Sequence, residues 1–95
     1  MKHKIVIYNH DNLVIYEGKA LDMPIKMDAI RKKSFELFKD PDPCIIHQSY
    51  AIQKFVTPLI AELNKNEKVH MHTLISDTSW IDLPNIEDCF IMLKG

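Results

Sequence analysis

The chain has 95 residues, of which 46% are hydrophobic and 26% are charged, and its formal net charge is −1. This length predicts one domain over residues 1–95, because a second hydrophobic core would not fit. The composition is not the strongly basic one of a nucleic-acid-binding domain, and no apolar run has transmembrane or signal-peptide length, which predicts a cytoplasmic protein without membrane contact.

Two short runs near the start, residues 4–8 and 13–16, are rich in β-branched and aromatic residues. Residues 9–12, Asn-His-Asp-Asn, separate them with typical turn chemistry, so the pattern predicts a β-hairpin that ends at Gly18. Neither run alternates with polar residues, and both faces of the hairpin are therefore predicted to be apolar. A hairpin in a small domain normally buries one face only. The second apolar face must therefore be covered by further helices or by another subunit.

The first helix is predicted to begin at Asp22 or Met23, with Pro24 in its first turn. It ends before Asp40-Pro41-Asp42-Pro43, since each proline keeps the preceding residue out of the helical conformation. Its predicted buried stripe consists of Met27, Ile30, Ser34, Leu37 and Phe38. Its opposite face is basic and carries Lys26, Arg31, Lys32, Lys33 and Lys39.

Residues 44–65 have the strongest amphipathic pattern, with apolar side chains at spacings of three and four. The stripe consists of Ile45, Ser49, Ile52, Val56, Leu59 and Leu63. Its phase continues past Pro58, which favours one kinked helix over a break with Thr57 as a cap. Residues 44–47 also fit a short buried strand followed by a helix capped by Ser49, but the start signal Asp42-Pro43 favours a helix throughout.

Two more strands are predicted, at residues 69–75 and 89–93. The second is apolar on both faces and is expected to be central or covered. Between them, Trp80, Ile81 and Leu83 are expected to fasten loop 76–87 to the body of the protein. The order strand, strand, helix, helix, strand, strand predicts an α+β fold (ββααββ) with the helices on one face of a small sheet.

No motif in the chain identifies a reaction. Gly18 and Gly95 are the two glycines, which excludes a glycine-rich phosphate loop, and no nucleophile elbow or pair of carboxylates stands out. A non-enzymatic protein is therefore favoured, with no catalytic residue, cofactor site or metal site assigned. Two cysteines are too few for a disulfide framework, and Cys44 and Cys89 are expected to be buried thiols in a reducing cytoplasm.

One set of side chains resembles a metal site in its chemistry. Thiolate and imidazole are zinc ligands, and the chain has Cys44 and His47 one helical turn apart and His70 and His72 on one face of a predicted strand. The spacings match no zinc module. The favoured interpretation is therefore that His70 and His72 lie on a partly solvent-exposed face of the sheet. A metal or small-anion site is the third functional hypothesis.

The leading hypothesis is a protein–protein interaction module that acts as a homodimer. Two helices cover one face of a four-stranded sheet, and a second copy of the chain would cover the other, apolar face. Residues 1–39 carry a net charge of +3 and residues 40–95 carry −4, and these halves could meet across a two-fold axis. Trp80 and Tyr50 are candidate interface anchors, although loop 76–87 folding back with Trp80 would cover the same face.

The alternative hypothesis is a nucleic-acid-associated regulator that uses the basic face of the first helix. Clustered lysine and arginine side chains bind phosphates. Asp28 and Glu36 dilute this face with negative charge, and no aromatic platform is interleaved with its cations. The basic face is therefore only the first kind of evidence that such a function requires.

Overall fold

The computed structural model describes residues 4–65 and 67–94 of the chain; residues 1–3, 66 and 95 lie outside the described part. In chain order the elements are β1 (Lys4–Tyr8), β2 (Val14–Lys19), α1 (Met27–Phe38), α2 (Ile45–Leu63), β3 (Lys68–His70), α3 (Met71–Leu74) and β4 (Phe90–Lys94). Short 3₁₀ turns lie at Ala20–Asp22 and Ile86–Asp88. The predicted α+β class and ββααββ order are confirmed, with the short helix α3 as an addition.

The four strands form one antiparallel sheet in the order β2-β1-β4-β3. The C-terminal strand β4 is therefore central, as its continuous apolar run predicted. Ile7 lies opposite Ile91 and Ile5 lies opposite Leu93 in the β1–β4 pair. Because side chains alternate between the two faces of a strand, these residues share one face of the sheet. This face contributes the sheet side of the hydrophobic core.

The helix α2 packs on this face, and α1 packs against α2. Among the residues of α2, Val56, Leu59 and Leu63 are each 1% exposed. Pro58 is exposed and lies within a continuous 19-residue helix, so the predicted single helix is confirmed. The carbonyl freed by the proline lies on the solvent side, where water satisfies it.

The other face of the sheet, here called the open face, has no described helix packed on it. Its residues form three cross-strand rows, which the register defines. The rows are Lys19, Lys4 and Lys94; Glu17, Val6, Met92 and Lys68; and Val14, Tyr8, Phe90 and His70. Val6 in the middle row is only 3% exposed, because long side chains of the neighbouring strands lie over it.

The third strand is shorter than predicted, because residues 71–75 do not continue it. β3 ends at His70, opposite Phe90, where β4 begins. Met71 N–H still donates to Cys89 O at 2.7 Å. The chain before Cys89 turns away through the 3₁₀ turn, so residues 72–75 have no strand to pair with. Their backbone groups are satisfied by helical bonds instead, such as Ile75 N–H to Met71 O at 3.0 Å.

Both long helices begin later than predicted. Before α1, Ile25 forms a β-bridge with Ile81, and Lys26 N–H donates to Trp80 O at 2.9 Å. These long-range contacts hold the chain extended up to Lys26. α2 begins at Ile45, with Cys44 as a cap residue whose side chain makes no capping bond, so the alternative strand at residues 44–47 is wrong.

Loop 76–87 is fastened to the helical side of the molecule. Trp80 is 7% exposed and Ile81 is 1% exposed, and both belong to the same core cluster as Ile5 and Leu59. Leu83 packs partly against this cluster. The expected fastening is confirmed, and Trp80 lies with the helices rather than over the open face.

Candidate functional site

Six large apolar side chains are exposed where α1 ends and α2 begins. We call this surface the apolar patch. It consists of Phe35 (49% exposed), Leu37 (39%), Phe38 (38%), Ile45 (74%), Ile46 (66%) and Tyr50 (52%). These fractions are far above those of core residues in either helix, so the patch is a solvent-facing surface.

The patch is continuous across the two helices. The rings of Phe38 and Tyr50 meet edge to face, with their centroids 5.8 Å apart. Phe35 lies one turn before Phe38, and Ile46 lies one turn before Tyr50, so each neighbours its helical partner. Leu37 and Ile45 lie near the end of α1 and at the start of α2, where the two helices approach each other in the chain.

The overhang of α2 beyond the sheet explains why the patch is exposed. Ile45 and Ser49 have the same helical phase as Val56 and were predicted to be buried, yet both are exposed. The buried residues of α2 begin only at Ala51, so its first turns extend beyond the hydrophobic core. Sequence reasoning missed the patch for this reason, although the adjacent isoleucines 45 and 46 had signalled a helix that is apolar on more than one side.

Asp40 joins the two helices under the patch. Its carboxylate accepts a hydrogen bond from His47 Nδ1 at 2.8 Å and another from Asp42 N–H at 3.1 Å. The His47 ring in turn stacks on Phe38, with the centroids 4.0 Å apart. Asp40 therefore organises the connection between the helices, a role that sequence reasoning had given to Asp42 as a helix cap.

These hydrogen bonds affect the ionisation of Asp40. The bond from His47, followed by those from the backbone N–H groups of Asp42 and Cys44, holds the pKa of Asp40 below its ordinary value of 3.8. A carboxyl group whose pKa is lower in the folded state stabilises the fold above its ordinary pKa. This contribution disappears as the pH falls through the folded-state pKa.

Replacing Asp40 by Asn should therefore lower the melting temperature at neutral pH. The difference from the wild type should shrink as the pH is lowered below 3.8, because the wild-type carboxyl then takes up a proton and loses the same interaction. Circular dichroism melts at a series of pH values measure this effect. Asp42→Asn is the matched control, and equal melting temperatures for the two variants at pH 7 would contradict the role given to Asp40.

A shallow cleft of about 260 Å3 lies between α1 and loop 76–87. Its lining consists of Ala29, Lys32, Lys33, Glu36, Phe55, Asp77, Ser79 and Trp80. The Asp77 carboxylate already accepts bonds from the Ser79 N–H and hydroxyl, at 3.0 and 2.6 Å, which lower its pKa. Lys33 pairs with Glu36 at 3.2 Å. The polar groups of the cleft are thus bonded to one another, and its volume is below that of ordinary ligand pockets.

The basic side chains of α1 do not form an unbroken phosphate-binding surface. Lys33 lies 5.3 Å from the Phe55 ring centroid, besides its pairing with Glu36, and Lys39 lies 5.7 Å from the Phe35 ring centroid. Lys26, Arg31 and Lys32 are exposed. Lys39 is exposed as well, so four of the five cations of this face are exposed. Nucleic-acid binding by this face stays a prediction.

The cysteine and histidine residues that resembled a zinc site lie on different surfaces. His47 is beside Phe38 on the helices, whereas His70 is on the open face with its ring centroid 5.0 Å from that of Phe90. His70 Nδ1 accepts a hydrogen bond from His72 N–H at 3.3 Å. Within residues 4–65 and 67–94, no group of three or more His, Cys, Asp or Glu side chains is arranged to hold a metal ion.

The two thiols also differ in their surroundings. Cys89 is buried and donates a hydrogen bond to Asn85 O at 3.4 Å, and burial raises the pKa of its thiol. Cys44 was expected to be buried as well, but it is exposed at the start of α2. The reason is again the overhang of this helix, which leaves its first turn without a covering element.

Comparisons of the chain with protein-family models, with curated proteins and with solved structures found no significant match. In the part of the chain that the structure describes, no helix combines the length and apolar character needed to cross a membrane.

Proposed function

We propose that this protein works by binding another protein, without catalysis, and that the partner is a second copy of the same chain. The observation that carries the proposal is the apolar patch. Two aromatic rings in edge-to-face contact, Phe38 and Tyr50, lie beside Ile46, which is 66% exposed. Interfaces are enriched in aromatic anchors of this kind.

The size of the patch supports an interface. An aromatic side chain contributes about 150–250 Å2 when it is buried. With the exposed fractions given above, the six side chains offer roughly 500 Å2 of apolar surface, the size of the largest, often functional, patch on a typical monomer. This area is more than half of the roughly 800 Å2 that each partner contributes to a standard interface.

The charges around the patch favour a second copy as the partner. Arg31 and Lys39 lie beside Phe35, and Asp40 and Asp42 lie in the connection between the helices. In a two-fold contact each copy presents the same surface, so a rim with both signs of charge can place the cations of one copy near the carboxylates of the other. Such pairs select the orientation of the partners more than they add affinity.

The proposed location is the cytoplasm. Cys44 and Cys89 are both free thiols, and Cys44 is exposed beside Ile45 in the patch. A reducing compartment keeps such a thiol from forming disulfides. The association proposed here is therefore non-covalent.

The test is the mass of the protein in solution at micromolar concentration, measured by light scattering after size exclusion. The wild type should have about twice the 11.1 kDa mass of one chain. Ile46→Glu should give a monomer with an unchanged circular dichroism spectrum, because a carboxylate in the first turn of a helix is compatible with the helix dipole but not with an apolar interface.

The matched control is Leu13→Glu, since Leu13 is 63% exposed on the β1–β2 turn and lies outside the patch. This variant should remain a dimer. A wild type of single-chain mass that does not change with concentration would overturn the proposal. A dimer that tolerates Ile46→Glu and Tyr50→Glu equally well would overturn the assignment of the interface to the patch.

A further inference from the structure

The open face of the sheet combines a pair of aromatic rings on the central strands with four lysines on the same face. Tyr8 on β1 lies directly opposite Phe90 on β4. Both rings are partly exposed, and the Tyr8 hydroxyl donates to Met92 Sδ at 3.5 Å. Residues opposite each other in an antiparallel pair have neighbouring side chains, so the two rings lie side by side on this face, and we call them the platform.

Positive charge lies beside this platform and at the other end of the open face. Lys19, Lys4 and Lys94 form a row across three strands, and Lys68 lies next to the rings on β3. Glu17 is the one acidic residue among the described positions of the open face, and it pairs with Lys94 at 2.8 Å and Lys4 at 3.9 Å. The face therefore carries a net charge of +3 in a chain whose formal net charge is −1.

Lys68 connects the charge to the rings. Its ammonium group lies 4.2 Å from the Tyr8 ring centroid and 5.6 Å from the Phe90 ring centroid. It also donates a hydrogen bond to Asn12 Oδ1 at 2.6 Å. The Lys68 side chain is exposed. A planar ligand that stacks on the two rings can therefore displace the ammonium group from the ring faces, and the ammonium group then lies next to that ligand.

We propose that the open face binds single-stranded nucleic acid. Adjacent bases stack on Tyr8 and Phe90, and the phosphate that joins them contacts Lys68. The phosphates of the nucleotides that follow along the strand reach the lysine row. Stacking on aromatic side chains and backbone contacts from lysines are the two interactions by which proteins hold single strands without sequence preference.

The shape of the face selects a single strand over a duplex. A duplex keeps its bases stacked inside, and reading it in the major groove needs a helix or a two-stranded ribbon that projects into the groove. The platform belongs to a sheet surface, which has no projecting helix or ribbon, and no described helix packs on this face. Bases that are already unstacked can lie flat on the rings, as they do on other aromatic sheet surfaces.

This proposal is independent of the dimer, because no residue of the open face belongs to the apolar patch. It also differs from binding by the basic face of α1, which lies on the helical side. Variants in the three surfaces therefore separate the three possibilities.

The experiment measures fluorescence anisotropy of a labelled oligonucleotide of about ten nucleotides, which is within the site size of a single binding fold. Oligouridine, oligothymidine and a duplex of the same length are titrated with the full chain at low salt and again at higher salt. Both single strands should bind, the duplex should bind more weakly, and affinity should fall with salt.

Variants that keep apolar volume but remove the rings test the platform. Phe90→Leu and Tyr8→Leu should each weaken binding by roughly fivefold or more, the effect of losing one stacked base. Lys68→Gln should reduce the slope of log affinity against log salt by about one. Arg31→Gln with Lys32→Gln on α1 is the matched control and should leave affinity within about twofold, since it removes charge without touching the open face.

A second measurement covers the case in which a ring variant does not fold. Amide chemical shifts of the wild type should change on β1, β3 and β4 when oligothymidine is added. Absence of binding by both single strands at low salt would overturn the proposal. Duplex binding as tight as single-strand binding, shift changes confined to α1, or ring variants with unchanged affinity would overturn it as well.

Discussion

Trp80→Ala is expected to destabilise the protein by about 3–5 kcal/mol, the range for a buried aromatic residue truncated to alanine. Trp80 is 7% exposed, and its ring stacks on Phe55 of α2, with the centroids 4.9 Å apart and 19° between the planes. Its backbone also accepts the hydrogen bond from Lys26 N–H at 2.9 Å. A domain of this size has about 5–15 kcal/mol of stability in total, so the loss is a large fraction of it.

The stacked pair allows a sharper test than the single variant. Phe55 is half-buried, so Phe55→Ala should cost less than Trp80→Ala, roughly 2–3 kcal/mol. The double variant should show a coupling of about 0.5–1.5 kcal/mol between the two rings. Urea titrations followed by circular dichroism measure all three values.

Lys54→Ala is the control for the Trp80 experiment, because Lys54 is the exposed neighbour of Phe55 on the same helix. Its effect should stay within about 0.5 kcal/mol. Additive effects of the two ring truncations would mean that loop 76–87 does not pack on α2 in solution. A Trp80→Ala variant as stable as the wild type would mean the same.

Leu59→Ala is expected to destabilise the protein by about 2–5 kcal/mol, which is the second largest effect. Leu59 is 1% exposed and belongs to the core cluster, together with Ile5, Ile7 and Ile91 of the sheet. Removing three carbon atoms there leaves a cavity between α2 and the central strands. Because both sides of the cavity belong to regular elements, they cannot collapse far to fill it.

The same substitution at a solvent-exposed position provides the comparison. Leu13→Ala removes the same atoms from a residue that is 63% exposed, and its effect should stay within about 0.5 kcal/mol. Chemical denaturation at equal protein concentration gives both values. Similar losses for Leu13→Ala and Leu59→Ala would contradict the assignment of the buried face of α2.

Much of the fold follows from local pattern in the sequence. The runs of β-branched and aromatic residues at β1 and β4 specify strands, and the spacing of apolar residues in α2 specifies one helix that continues through Pro58. The continuous apolar character of β4 also predicts its central position correctly. These properties depend on residues close together in the chain, so the sequence by itself determines them.

The tertiary structure alone decides which apolar positions face solvent. Ile45 and Val56 have the same phase in α2, but Val56 lies over the sheet at 1% exposure and Ile45 overhangs it at 74%. No local pattern records where a distant strand ends. The apolar patch, which is the basis of the proposed dimer, is therefore a result of the relative lengths of α2 and the sheet.

The pairing of distant segments decides the remaining differences. Residues 71–74 have strand-like composition but form α3, because the chain before Cys89 turns away and provides no strand for them to pair with. Tyr8 and Phe90 are separated by most of the chain, and only the register of β1 and β4 makes them a platform. The sequence by itself determines which residues can form helices, strands and stacking surfaces. The tertiary structure decides which of them meet and which are left uncovered, because burial and pairing depend on what lies opposite each residue in space.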